Sequence, residues 1–215
     1  KKPLYVVMAS DRGLCGGLNA NVLKEFDKCL KNKKDKDEIT QVVLWGTKSF
    51  SLVKNKKENL DVIEKRDSID SLGLKPFKSL AELVFRGLRE RRWDSCFIIY
   101  TCFNNMVSQV PVVKQIAPIS ITQTNQEDFE QQEALIKPLT CGFYESILKQ
   151  TVINSLYEAH LSSSCSEHAS RMTAMENATK NAGEMIDRLT LDYNKQRQAN
   201  ITRELIEITS GAEAL

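Results

Sequence analysis

The stretch Leu4-Tyr5-Val6-Val7-Met8-Ala9-Ser10-Asp11-Arg12-Gly13-Leu14-Cys15-Gly16-Gly17-Leu18-Asn19 decides the fold. Its first six residues are a continuous apolar run, the pattern of a strand buried on both faces. A glycine-rich turn follows. Beyond it Leu18, Val22, Leu23, Phe26 and Leu30 recur at helical spacing on one face. Val42-Val43-Leu44-Trp45 and Phe97-Ile98-Ile99-Tyr100 repeat the strand type, and Leu80, Leu83, Val84 and Leu88 repeat the helix type. Strand alternating with helix predicts an α/β domain, a mostly parallel sheet with helices packed on it.

Ser108-Gln109-Val110-Pro111-Val112-Val113-Lys114-Gln115-Ile116 reads as a further strand. Pro111 has no N–H to give to a ladder, so this strand belongs at an edge or carries a bulge. Residues 120–133 turn polar without periodicity and read as a surface connection. From Gly142 to Thr209 there is no proline, and Gly183 is the only interior glycine. A helix over this span would be on the order of 100 Å long, too long to bury itself on a compact domain. Ser164 and Glu167 have capping-box spacing, which leaves open a restart of the helix near 162–166 or a serine-rich helix that continues.

Ala169, Met172, Met175, Ala178, Ala182, Ile186, Leu189 and Tyr193 follow in steps of three and four, the seam of a coiled coil. The repeat then fails at Gln196 and Asn200 and resumes shifted at Ile201, Leu205 and Ile208. The expected organisation is a globular domain over 1–140 and a long shaft helix over 141–215.

Thirty basic side chains nearly cancel twenty-eight acidic ones, so charge gives no support for a nucleic-acid binder. No apolar run approaches the roughly 20 residues needed to span a bilayer, and the start of the chain lacks the order of a signal peptide. The reading is a folded protein that stays where it is made. Its six scattered cysteines (Cys15, Cys29, Cys96, Cys102, Cys141, Cys165) fit free thiols better than a disulfide framework.

The glycine-rich turn sits between strand and helix, where dinucleotide and phosphate loops occur. It lacks both the G-x-G-x-x-G spacing and a Lys-Ser or Lys-Thr pair after the last glycine. A nucleotide-binding protein using residues 13–17 is the alternative function; a tight turn whose glycines permit positive φ is the favoured reading. Cys15 as a nucleophile would need His160 or His168 as base, and both lie in the long helix. His160, Cys165 and His168 do not converge on one metal from a single helix, and solvent-facing polar positions are expected. The basic clusters at 31–36, at 54–57, and at Arg86, Arg89, Arg91 and Arg92 are interleaved with acids and read as solvated faces. The stretch 193–202 puts hydrogen-bonding side chains around the whole helix, which invites contacts with surrounding walls.

These residues resemble a known family. The loop 10–19, the helix Ala169-Ser170-Arg171-Met172-Thr173-Ala174-Met175-Glu176-Asn177-Ala178-Thr179, the stretch Asn105 to Pro111, and the terminal run from Tyr193 to Ala212 are similar to gamma subunits of F-type ATP synthases. The likeness is weak over 24–93. It implies a Rossmann-like sheet flanked by helices, followed by a very long C-terminal coiled-coil helix. It also implies a non-catalytic rotor, the central stalk, coupling proton flow through a membrane ring to conformational change in a catalytic hexamer. No cofactor is expected, and the chemistry lies in the partners.

By resemblance, Arg197 and Gln198 meet a loop of a catalytic subunit, with Thr202 and Glu204 supporting polar contacts nearby. Arg171 is a further polar residue on the shaft, and Ile206, Ile208 and Leu215 sit in an apolar bearing. Asp11, Arg12, Gly13, Gly16 and Gly17 form the structural loop. The implied partners are the alpha and beta subunits of the hexamer, the epsilon subunit and the membrane c-ring, with segments near 139–144 close to that base. Family members carry a long helix upstream of the first strand, paired antiparallel with the C-terminal one, so this sequence is expected to hold one of the shaft's two helices. The Cys-Gly-Gly-Leu-Asn ending of the loop favours a bacterial origin, at the cytoplasmic face of the inner membrane; mitochondrial matrix and chloroplast stroma are the alternatives.

Overall fold

The computed structural model describes residues 2–31, 39–54, 60–67, 73–119 and 141–213. Among the described residues, five strands and four helices follow in the order β1 (Pro3–Met8), α1 (Leu18–Lys31), β2 (Thr40–Trp45), α2 (Thr47–Lys54), β3 (Leu60–Arg66), α3 (Lys75–Arg89), β4 (Ser95–Phe103), β5 (Gln109–Ala117) and α4 (Cys141–Glu213). The strands form one sheet in the order β3-β2-β1-β4-β5. All neighbours run parallel except β4 and β5. Pro111 lies on the edge strand β5, opposite Thr101, and the ladder shifts register at Cys96/Phe97, so the proline's strand is both an edge and beside a bulge.

Alternation along β1 builds two cores. Leu4, Val6 and Met8 point to the face covered by Phe77, Leu80, Ala81 and Val84 of α3 and by Val152, Ile153, Leu156 and Ala159 of α4. Tyr5 and Val7 point to the face covered by Val22 and Phe26 of α1. Within α3, Pro76 fits the helix start, where its missing N–H costs nothing. Gly87 lets the Trp93 ring close on the helix: a Cβ there would fall 1.9 Å from that ring.

The chain divides into two compact units, Lys1–Arg171 and Met172–Leu215. The division falls inside α4 and not ahead of it, because the apolar face from Val152 to Ala159, together with Ala169, is buried in the first unit. No interruption marks the serine cluster; the helix runs unbroken through 162–166. Two elements escaped the sequence reading, the short helix α2 and the edge strand β3. The polar segment 120–133, Leu215, and most of the basic clusters at 31–36 and 54–57 lie outside the described residues.

Candidate functional site at the glycine loop and the long helix

The turn after β1 is held by its own polar groups. Asn19 accepts the Ser10 N–H at 3.0 Å and donates through Nδ2 to the Ser10 hydroxyl at 2.7 Å. That hydroxyl in turn donates to the Arg12 carbonyl at 2.7 Å. Asp11 reaches out of the turn, accepting the Thr47 N–H at 2.8 Å and its hydroxyl at 3.1 Å, and so caps the first turn of α2. Arg12 is exposed. Of the loop glycines only Gly16 has positive φ, +56°; the other left-handed residue is Leu14, at +62° and 75% exposed.

The other side of the loop is held by α4. Ser170 donates its hydroxyl to the Cys15 carbonyl at 2.7 Å, and Arg171 points Nε at the Gly13 carbonyl, 3.4 Å away, while its guanidinium pairs with Glu167. Arg171 is therefore anchored in the first unit, at the loop. A turn earlier, the Ser166 hydroxyl lies 2.8 Å from the Ser162 carbonyl and 3.3 Å from that of Thr101. One turn before that, Ser162 accepts the Phe103 N–H at 3.0 Å. These contacts lie where β1 and β4 part, the topological switch point of the sheet, which in open α/β folds is the usual ligand crevice. Here the protein's own helix crosses it. A polar hollow of about 340 Å³ remains beside the contacts, lined by neutral groups including Asn21, Thr101, Ser108, Gln109 and Ser170.

Cys15 is buried, with its thiol 3.3 Å from Asn19 Nδ2 and 3.7 Å from the Ser10 hydroxyl. His160 is not the solvent-facing residue the sequence suggested. Its ring packs 5.9 Å from Trp45 and 5.3 Å from Phe77, and burial pushes its pKa below the usual value, against the opposing pull of Asp11 and Glu167. Cys15, Cys29, Cys96, Cys102 and Cys165 are free thiols. Cys96 is fully buried, which pushes its thiol pKa far up, whereas Cys165 is exposed. Arg89 and Arg92 are exposed and pair with Glu145 and Glu90.

The other candidate residues lie in the second unit. Every residue from 175 to 212 is exposed, including Arg197, Gln198, Thr202 and Glu204. Thr202 donates its hydroxyl back to the Gln198 carbonyl at 2.8 Å. Ile206 and Ile208 are 58% and 68% exposed, and the seam residues Met175, Ile186, Leu189 and Tyr193 are comparably open. No described helix is long and apolar enough to cross a membrane.

The ATP synthase family model matches residues 1–215. The ATP synthase gamma chain of Pelagibacter ubique (strain HTCC1062) is 34% identical, aligned over 100% of this chain and 74% of that one. The gamma chain of Geobacter metallireducens is 36% identical with the same coverage. Among solved structures, a chain of the Euglena gracilis mitochondrial ATP synthase, in the OSCP/F1/c-ring assembly, superposes with a TM-score of 0.73 over 99% of this chain and 72% of that one, at 20% identity. A chain of the Tetrahymena thermophila mitochondrial ATP synthase, from its central stalk and c-ring, gives 0.65 over 83% and 77% at 24% identity. At such identities the structures speak for the fold, while the sequence matches speak for descent: this chain belongs to the ATP synthase gamma-chain family.

Proposed function

We propose that the chain is the non-catalytic central-stalk subunit of a bacterial F-type ATP synthase, coupling proton flow through the membrane ring to conformational change in the catalytic hexamer. One observation carries this reading beyond the family match. The segment 175–212 is helical and exposed on every side, yet it presents Met185, Ile186, Leu189, Leu191, Tyr193, Ile201, Leu205, Ile206 and Ile208 to solvent, each at least 47% open. A helix draws most of its stability from packing, and that much open apolar surface marks a segment with partners.

The alpha and beta subunits are the partners for this segment. Arg197, Gln198, Thr202 and Glu204 supply polar contacts to a catalytic subunit, and Ile206, Ile208 and Leu215 supply an apolar bearing. Contacts that differ among the three catalytic subunits hold them in different conformations, since a ligand shifts an equilibrium only by its differential affinity for the two states. The sheet domain faces the epsilon subunit and the c-ring, at the cytoplasmic face of the inner membrane. A nucleotide at residues 13–17 is the weaker reading, because Gly13 and Cys15 give their carbonyls to α4 and the gamma-chain relatives point to the stalk.

The test is the intact gene product in its host. It should co-purify with alpha and beta subunits, and Arg197→Ala should lower coupled ATP turnover by roughly tenfold, as for loss of one charge-assisted contact. Unchanged turnover would remove Arg197 from the contact surface, and absence of alpha and beta from the preparation would sink the stalk reading.

A further inference from the structure

β4 outruns its neighbour. The register between β1 and β4 ends at Val7 and Ile99, while β4 continues to Phe103. On the side of β1, the last residues of β4 have no strand among the described residues to complete their ladder, and a main-chain group left without a partner is costly. The missing partners come from α4. Ser162 accepts the Phe103 N–H, and Ser166 shares its one hydroxyl proton between the Ser162 carbonyl at 2.8 Å and the Thr101 carbonyl at 3.3 Å. Ser170 donates to the Cys15 carbonyl, in the loop that takes the chain away from β1.

The three serines stand four residues apart, so they share one face of the helix. The turns before them, at Val152, Ile153, Leu156 and Ala159, pack by apolar side chains. Apolar packing is non-directional and leaves a helix free to slide or roll by small amounts. Hydrogen bonds to fixed main-chain atoms are directional and tolerate little of either. The Ser166–Thr101 contact is buried and the Ser170–Cys15 contact half-buried, so water does not freely replace these two, while the Ser162–Phe103 bond is exposed.

We propose that Ser162, Ser166 and Ser170 are positioning residues that form the torque-bearing joint between the sheet and the long helix, Ser162 and Ser166 standing beside β4 where β1 no longer pairs with it and Ser170 holding the loop after β1. The inference rests on the central-stalk reading. In the rotor, the joint fixes the axial register and rotational phase of residues 162–170 against the sheet, so that torque passes through bonds and is not lost in slip.

The experiment uses the assembled ATP synthase carrying Ser162→Ala, Ser166→Ala and Ser170→Ala, singly and together, with Ser170→Thr as the variant that keeps a hydroxyl. Amide exchange at Phe103 should speed up about tenfold in Ser162→Ala, the size expected for loss of one hydrogen bond. Unloaded ATP hydrolysis should hold in the triple variant. Protons pumped per ATP against a gradient should fall at least about twofold, and single-molecule rotation under load should show a softer rotor; Ser170→Thr should restore part of what Ser170→Ala loses. An assembled triple variant that pumps with wild-type stoichiometry and stiffness overturns the joint and leaves the stalk reading standing. A wild-type chain that never joins alpha and beta subunits overturns both.

Discussion

His160 of α4 packs its ring 5.9 Å from that of Trp45, the last residue of β2, and both rings also meet Phe77. Burial favours the neutral imidazole and lowers its pKa, while Asp11 and Glu167 pull the other way without cancelling the effect. Below a pH of about 6.5, the ordinary histidine value, the unfolded chain therefore binds more protons than the native one. The stability contributed by neutral His160 is fully present above that pH and drains away as pH falls through the lowered native value. Urea midpoints at pH 7.5 and 5.5 should show this loss, and His160→Gln should flatten it. An equal slope in the variant would mean that other groups set the acid response.

Leu156 is fully buried between α4 and the sheet, in the same core as Leu4 and Leu80. Leu156→Ala should cost about 2–5 kcal/mol by chemical denaturation, because the side chain is lost and a cavity stays behind. Ile147, on the same helix but 46% exposed, is the control: Ile147→Ala should stay within about 0.5 kcal/mol. Similar losses at both positions would mean that α4 is not seated on the sheet as described.

Gly46 closes β2 with φ +91°, and a Cβ there would stand 2.0 Å from the Ala9 carbonyl oxygen. Strain and collision act together, so Gly46→Ala should destabilise by at least about 3 kcal/mol. Gly73 has open space around a Cβ and no left-handed φ, so Gly73→Ala should be close to neutral. Thermal melts of the two variants decide it.

Asp11 caps α2 from 36 residues away, receiving both the N–H and the hydroxyl of Thr47. Asp11→Ala should cost about 1 kcal/mol and raise amide exchange across the first turn of α2, with Asp11→Asn retaining most of the cap. If Asp11→Ala left exchange in α2 unchanged, the cap would be idle.

That cap also shows where local reading of the sequence stops. The β1–turn–α1 unit was legible because buried strands announce themselves as apolar runs and α1 by its spacing. α2 was not: it is eight residues long, and the group that starts it comes from another loop. β3 hid for a different reason. Val42 pairs with Val62 but Val43 pairs with Glu64, so Ile63 is an extra residue that breaks the two-residue alternation. His160 looked like a surface position because nothing near it in sequence foretells Trp45 and Phe77. Likewise the serines at 162–166 looked like a weak point in a helix. Their use depends on β4 overhanging β1, a property of register between distant segments.

The joint has one further consequence, for how the protein tolerates substitution over generations. The groups that Ser162, Ser166 and Ser170 reach belong to the backbone of Phe103, Thr101 and Cys15, which every replacement except proline at 103 would still offer. Drift at the joint is therefore expected to be one-sided. The positions on the sheet and loop are free, as far as the joint is concerned, to exchange side chains, while the helix must keep a small hydroxyl at each of its three.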